Sequence, residues 1–278
     1  MPVQGLFESA TAPEADQRPA PKSVLVFAHP DDEVVALGAR LGRFASAHFV
    51  HVTDGAPRNE NDSRAHGFQS LSDYRNARAS ELRRALTLAG VPPAAQENLD
   101  LPDQEASLRL YQLINRLYPI FKKHRPQVVF THPYEGGHPD HDACAFAVHR
   151  AVSLLKAREG LEPLIVEGAF YHAAVDGLEP GAFLPHPQQT QEVVFQLQPA
   201  ERSRKQQLVR CFTSQQETLR NLIADCERFR IAPKYNFQIP PHAPPVLYDN
   251  YPWGMTSQRF CELVNEADQM LAAETSNV

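Results

Sequence analysis

The residues best suited to chemistry stand in two short runs, His29-Pro30-Asp31-Asp32-Glu33 and His138-Pro139-Asp140-His141-Asp142. An imidazole and a carboxylate three positions apart at the start of a helix, as in His29 and Asp32, can share a metal ion. His138 and His141, at i and i+3, face the same side of a helix's first turn. One acid of the first run could instead cap the following helix by accepting from a free N–H. That accounts for Asp31 or Asp32, but not for both, and not for His29. A lone HxxH is more often two surface histidines than a site; paired with HPDD it supplies a set of His and Asp ligands. Such ligands suit Zn²⁺, and three of them leave a fourth position open for water. The residues alone leave open which of Asp31 and Asp32 would bind the metal, and whether His138 would be a further ligand.

Both runs need elements that bring them together. Residues 23–28 are a continuous apolar stretch, as expected of a strand buried on both faces. A helical spacing follows over 34–47, then a second strand at 48–53. Further strands are predicted at 97–101, 127–131 and 164–171, and an edge strand at 192–197. Helices are predicted at 73–89, 108–124 and 138–156, in two pieces within 200–229, and at 257–273. The polar, aperiodic stretch from Asp54 to Ser72 reads as a long loop that overhangs the pocket and orders when substrate binds. This β-α-β-α order predicts an α/β fold, a Rossmann-like three-layer sandwich with a mostly parallel sheet. In such sheets ligands bind beyond the carboxyl ends of the strands, at the switch in strand order. The predicted strands end in His29 to Glu33, in Asp54, in Asp103 and in His132, so the polar clusters fall where a pocket belongs.

The bulk composition narrows the classes. The chain has 278 residues, 42% apolar and 22% charged, with a formal charge of −6. That balance argues against nucleic acid as a partner, and no apolar stretch is long enough to span a bilayer. Residues 1–22 lack the charged and apolar regions of a signal peptide and read as a disordered N-terminal arm. Residues 23–278 read as one domain. Cys144, Cys211, Cys226 and Cys261 form no CxxC pair, which fits a reduced, cytoplasmic chain. A nucleotide-binding Rossmann protein would need a Gly-rich turn after the first strand, where HPDDE stands instead. A non-catalytic relative on the same fold would be expected to lack Asp31.

The pair AHPDDE and HPDH resembles the LmbE/PIG-L family of zinc-dependent N-deacetylases, which act on N-acetylglucosaminyl groups and related amino sugars. VTDG at 52–55, Arg78-Ala-Ser-Glu81, LPD at 101–103 and FTSQ at 212–215 agree with it. The resemblance implies His29, Asp32 and His141 as zinc ligands and Asp31 as general base. It implies that His138 stabilises or protonates the tetrahedral intermediate and that Asp140 orients it. A carboxylate beside that ring would raise its pKa above about 6.5. Arg78 and Asp103 match positions that line the sugar pocket. Some members place a tyrosine two residues before the first histidine of HPDH; here Gly136 stands there, and Tyr134 is the nearest candidate. Glu33 is read as a supporting acceptor or helix-start acid, and His48, His51, His124 and His149 as structural. The expected partner is a small amino-sugar or other N-acyl substrate, including a thiol conjugate, and relatives often form homo-oligomers.

Overall fold

The computed structural model describes residues 3–276 apart from 15, 17, 18, 176 and 189. The strands are β1 (Ser23–Phe27), β2 (His48–Pro57), β3 (Gln96–Asp103), β4 (Val128–Thr131), β5 (Leu164–Gly168), β6 (Tyr171–Ala174), β7 (Gly177–Pro180), β8 (Glu192–Gln196) and β9 (Cys226–Ile231). The helices are α1 (Val3–Thr11), α2 (Asp32–Leu37), α3 (Asn61–Ala65), α4 (Leu71–Leu88), α5 (Leu110–His124), α6 (Pro139–Glu159), α7 (Pro199–Val209), α8 (Gln216–Arg220) and α9 (Ser257–Ser276).

The main sheet has the order β3-β2-β1-β4-β5-β9-β8. Its first five strands are parallel, and β9 and β8 close it in antiparallel pairing. The apolar run of β1 follows from coverage on both faces. Val24, Val26 and Ala28 join the core with α5, α6 and α9, while Leu25 and Phe27 join the core with α2 and α4. This is the α/β, Rossmann-like arrangement expected from the alternation of elements. The order reverses between β1 and β4, so the loops after these two strands open side by side. Those loops carry HPDDE and the stretch from His132 to HPDH.

Four local expectations are corrected. Residues 3–11 form α1 rather than a disordered arm, because Phe7 and Ala10 reach the core and Arg40 Nε donates to the Thr11 carbonyl at 3.2 Å. Residues 1, 2, 15, 17 and 18 of that stretch lie outside the described residues. The predicted long loop at 54–72 is partly ordered, since β2 runs on to Pro57 and α3 follows. The helix expected over 34–47 is split, with α2 giving way to a 3₁₀ turn over Gly38–Phe44. The end of the 200–229 segment is strand β9, which the sheet recruits through pairing with β5. All four cysteines are free, and no helix among the described residues is long and apolar enough to cross a membrane.

Candidate metal centre and active site

β1 ends in a turn that the acids of HPDDE hold open. Asp31 sits at φ 140, a region costly for any residue with a side chain. Its N–H donates to Glu33 Oε2 at 3.2 Å, and Glu33 is held in turn by His51 Nε2 at 3.0 Å. The buried pair of Glu33 and His51 therefore supports the strained residue from beneath, as the structural reading of both anticipated. The His29 N–H donates to Asp32 Oδ2 at 2.7 Å, which fixes that carboxylate against the strand end.

From β4, the chain passes through Gly136 and Gly137 to His138, the N-cap of α6, with Pro139 at the first helical position. A Cβ on Gly137 would come within 2.2 Å of the Tyr171 carbonyl, so only glycine allows this approach. The first turn of α6 then projects His141 toward His29.

His29, Asp32 and His141 converge. His29 Nδ1 lies 3.3 Å from His141 Nε2 and 3.4 Å from Asp32 Oδ2, and His141 Nε2 lies 3.4 Å from Asp32 Oδ1. A tetrahedral ion with bonds of about 2.0–2.1 Å sets its ligand atoms about 3.3–3.4 Å apart. With one Asp32 oxygen facing each histidine, the donor types and their close approach suit a zinc-like ion. Among the described residues, His29, His138 and His141 also bring donor atoms within 4.8 Å, as do Asp32, His132 and His141. His132 Nε2 already accepts from the Ala28 N–H at 3.0 Å, so its lone pair is engaged. Its ring stacks on His141 at 3.9 Å and sets that ring's plane. The sequence put His132 at a strand end but gave it no role, since a single histidine after an apolar run carries no spacing signal.

Asp140 is placed differently from expectation. Its carboxylate accepts from the N–H groups of Gln104 at 2.6 Å and Ala106 at 2.9 Å, and it faces His29 Nε2 at 3.3 Å. Asp103 Oδ1 lies 3.1 Å from the same nitrogen. The two acids hold the proton on His29 Nε2 and leave Nδ1 free to ligate. His138 instead takes the Asp140 backbone N–H on Nδ1, at 3.1 Å. Its proton is therefore on Nε2, 3.9 Å from Asp103 Oδ1. Burial, reinforced by His29, pushes the His138 pKa down to about 3, against the upward shift expected. The ring is neutral, as its place at a helix N-terminus also favours.

Burial raises the Asp31 carboxyl to about 7; Arg78 opposes the shift and Asp32 adds to it. Arg78 is itself buried, with Nη1 3.1 Å from Asp31 Oδ2 and Nε donating to the Gly55 carbonyl at 3.2 Å. This explains VTDG, because a Cβ on Gly55 would meet Arg78 Nε at 2.8 Å. Three residues on, Glu81 accepts from Thr213 Oγ1 at 2.6 Å and from Ser214 Oγ at 2.7 Å. One turn of α4 thus ties the Asp31 side of the site to FTSQ and α8. Burial would raise Asp103, but His29, by charge and hydrogen bond, holds it below the usual carboxylate range.

A cavity of about 260 Å³ opens over this cluster, reached by His29, Asp31, Asp32, Arg78, Asp103, His138 and His141. Asp62 and His66, on and just after α3, also line it, as do Tyr171 and Trp253, which no motif had marked. Trp253 lies 4.7 Å from His138, and Tyr171 lies 5.4 Å from His141. Tyr134 is not at this cavity. Its hydroxyl donates to the Ile239 carbonyl at 2.9 Å, and its ring packs among Phe237 and Phe260 in the core. His48 stacks on His124, and His149 packs on Tyr235 and Phe237, all remote from the cavity lining.

Residues 24–152 match the family model PIG-L, GlcNAc-PI de-N-acetylase. A 1D-myo-inositol 2-acetamido-2-deoxy-alpha-D-glucopyranoside deacetylase of Catenulispora acidiphila is 29% identical over 170 residues, 52% of each chain. The match therefore spans about half the length of this curated relative. The A40926 pseudoaglycone deacetylase Dbv21 superposes with a TM-score of 0.58 at 18% identity, covering 77% of this chain and 98% of that one. A deacetylase bound to teicoplanin gives 0.57 at 18%, covering 76% and 97%. GalB, a 4-carboxy-2-hydroxymuconate hydratase of Pseudomonas putida, gives 0.52 at 17%, covering 77% and 98%, so the fold by itself does not fix the reaction. With the converging His29, Asp32 and His141 set at its strand ends, the chain matches the PIG-L model over residues 24–152 and shares the fold of these deacetylases.

Proposed function

We propose that this protein is a zinc-dependent hydrolase that removes the N-acetyl group from an N-acetylglucosamine-type amino sugar or its conjugate. One observation carries the reading: His29, Asp32 and His141 converge to within 3.4 Å of one another beside the buried Asp31 carboxylate, in a shared cavity. The family match, and a curated relative that deacetylates a 2-acetamido-2-deoxy-glucopyranoside, support it.

A divalent ion held by His29, Asp32 and His141 would supply Lewis acidity for the amide carbonyl and for the attacking water. Asp31, with a pKa of about 7, is matched to accept the water's proton as attack proceeds. Arg78 orients the carboxylate and keeps it from turning away. His138, neutral and protonated on Nε2, donates to the oxyanion that develops on the carbonyl. Because His138 has no second proton to give, Asp31 passes the proton it received to the amine nitrogen. The new C–O bond forms, the C–N bond breaks, and acetate and a free amine leave. This division of labour assigns to Asp31 the acid step first expected of His138.

The reading is tested by titrating zinc into metal-free protein and incubating the loaded form with N-acetyl sugars, glycolipid head groups and thiol conjugates, with free amine as the readout. One zinc per chain and hydrolysis of at least one N-acetyl sugar are expected. Full activity after complete metal removal would refute it.

A further inference from the structure

A second cavity, of about 420 Å³, lies between α7 and α8 and is larger than the one over the His/Asp cluster. That volume is within the range of small-molecule sites, about 300–1,000 Å³. One face of α7 lines it, since Arg202, Lys205, Gln206 and Val209 recur at helical spacing. Leu197 and Leu219 are buried and close its base. Val209 and Ile223 lean on the core but stay partly exposed, so apolar surface remains open to an occupant. Leu219 is the one residue that the two linings share, so the α8 segment divides the cavities.

The charged lining is unbalanced, in a chain whose formal charge is −6. Lys205 is buried and engaged: its Nζ donates to the Val35 carbonyl at 2.8 Å and meets Glu227 Oε1 at 3.2 Å. Arg202 pairs at 3.2 Å with Asp225, the single acid of the lining. Arg210 and Arg220 are exposed, line the cavity, and have no carboxylate partner among the described residues. Two positive charges are thus left over a partly apolar floor. Guanidinium groups bind phosphate and carboxylate oxygens through paired N–H donors. A phosphate monoester carries about −1.5 to −2 charge at pH 7, close to that excess, whereas a single carboxylate falls short of it. We propose that this cavity is a second ligand site, which takes an organic phosphate monoester with its phosphate on Arg210 and Arg220 and its carbon body against Val209 and Ile223. A ligand there lies apart from the cavity where an amide would be cleaved, so the site stands whether or not the hydrolase reading does.

Equilibrium dialysis of the full chain against phenyl phosphate tests this, in zinc-loaded and metal-free forms. Binding of one molecule per chain with the same Kd in both forms is expected, because the site lies outside the cavity of the His/Asp cluster. Arg210→Gln and Arg220→Gln, both at exposed positions, should each raise Kd about 5- to 10-fold. Added salt should weaken binding in the parent protein. Arg259→Gln, which changes an exposed arginine of α9 outside the cavity lining, should leave Kd unaltered. Inorganic phosphate should bind more weakly than phenyl phosphate, and Ile223→Ser should remove that difference by taking away apolar floor. Binding that needs zinc and ignores both arginine variants would place the anion on the metal and overturn the inference. No binding at millimolar phenyl phosphate, or equal affinity for phenyl and inorganic phosphate in the parent protein, would likewise overturn it.

Discussion

Asp140→Asn separates two roles for this carboxylate. Asp140 is fully buried, accepts two backbone N–H groups and faces His29 Nε2, the ring nitrogen opposite the candidate ligand atom Nδ1. Asparagine keeps the shape but replaces one accepting oxygen with an NH₂ donor. If that donor meets Gln104 N–H or His29 Nε2–H, donors face each other in a dry site. One lost hydrogen bond to a charged group costs about 1.5–3 kcal/mol of folding stability. The His29 ring also loses the acceptor that fixes its tautomer, which for such supporting carboxylates weakens metal binding about 10- to 100-fold. Zinc affinity, measured by competition with a chromogenic chelator, should fall by that factor, and the midpoint of thermal unfolding of the metal-free form should also fall. The opposite arrangement, with Asp140 acting on His138, predicts unchanged zinc affinity and a loss confined to kcat. That result would refute the placement described here.

Asp31→Asn should retain zinc and lower turnover by about 10²–10⁴, whereas Asp32→Asn should lower zinc affinity itself; the reverse pattern, read by metal analysis and single-turnover rates, would exchange the two assignments. Gly55→Ala places a Cβ at φ +64 and 2.8 Å from Arg78 Nε and Pro30 Cδ, and should cost about 1–3 kcal/mol in denaturant unfolding; unaltered stability would show that this contact relaxes freely. Away from the metal ligands, burial pushes Glu135 from 4.5 up to about 8, against the pull of Arg230 and with a further push from Glu167. The folded state then holds a proton that the unfolded state releases, so the stabilisation is complete below about 4.5 and is lost as pH rises through 8. Stability should fall across that window with a slope approaching about 1.4 kcal/mol per pH unit, and Glu135→Gln should flatten it; an identical pH profile in the variant would contradict this.

The sequence by itself determined the parts governed by local periodicity and by chemistry at close spacing. Continuous apolar runs marked β1 and β4 because both faces of a parallel sheet are covered. The i, i+3 spacings of His29 with Asp32 and of His138 with His141 survived because a helix start imposes them wherever it is placed. Strand order alone then required the two runs to meet. What the sequence could not determine was set by contacts between residues far apart in the chain. Asp140 turned toward His29 because the turn at Gln104 and Ala106 offers it two N–H groups, a relation across more than thirty residues.

 Tyr134 was drawn into the core by Phe237 and Phe260, which are remote from it in sequence, and the cavity gained Tyr171 and Trp253 in its place. The neutral state of His138 likewise depends on burial and on a neighbouring ring from another strand end, neither of which a motif records. Helix α1 and strand β9 have the same cause: each is too short to be stable alone, and each forms where the folded core or a free strand edge receives it. The set of candidate donors is thus written in short-range spacing, while orientation, protonation and pocket shape arise only when the strand ends are packed together and water is excluded.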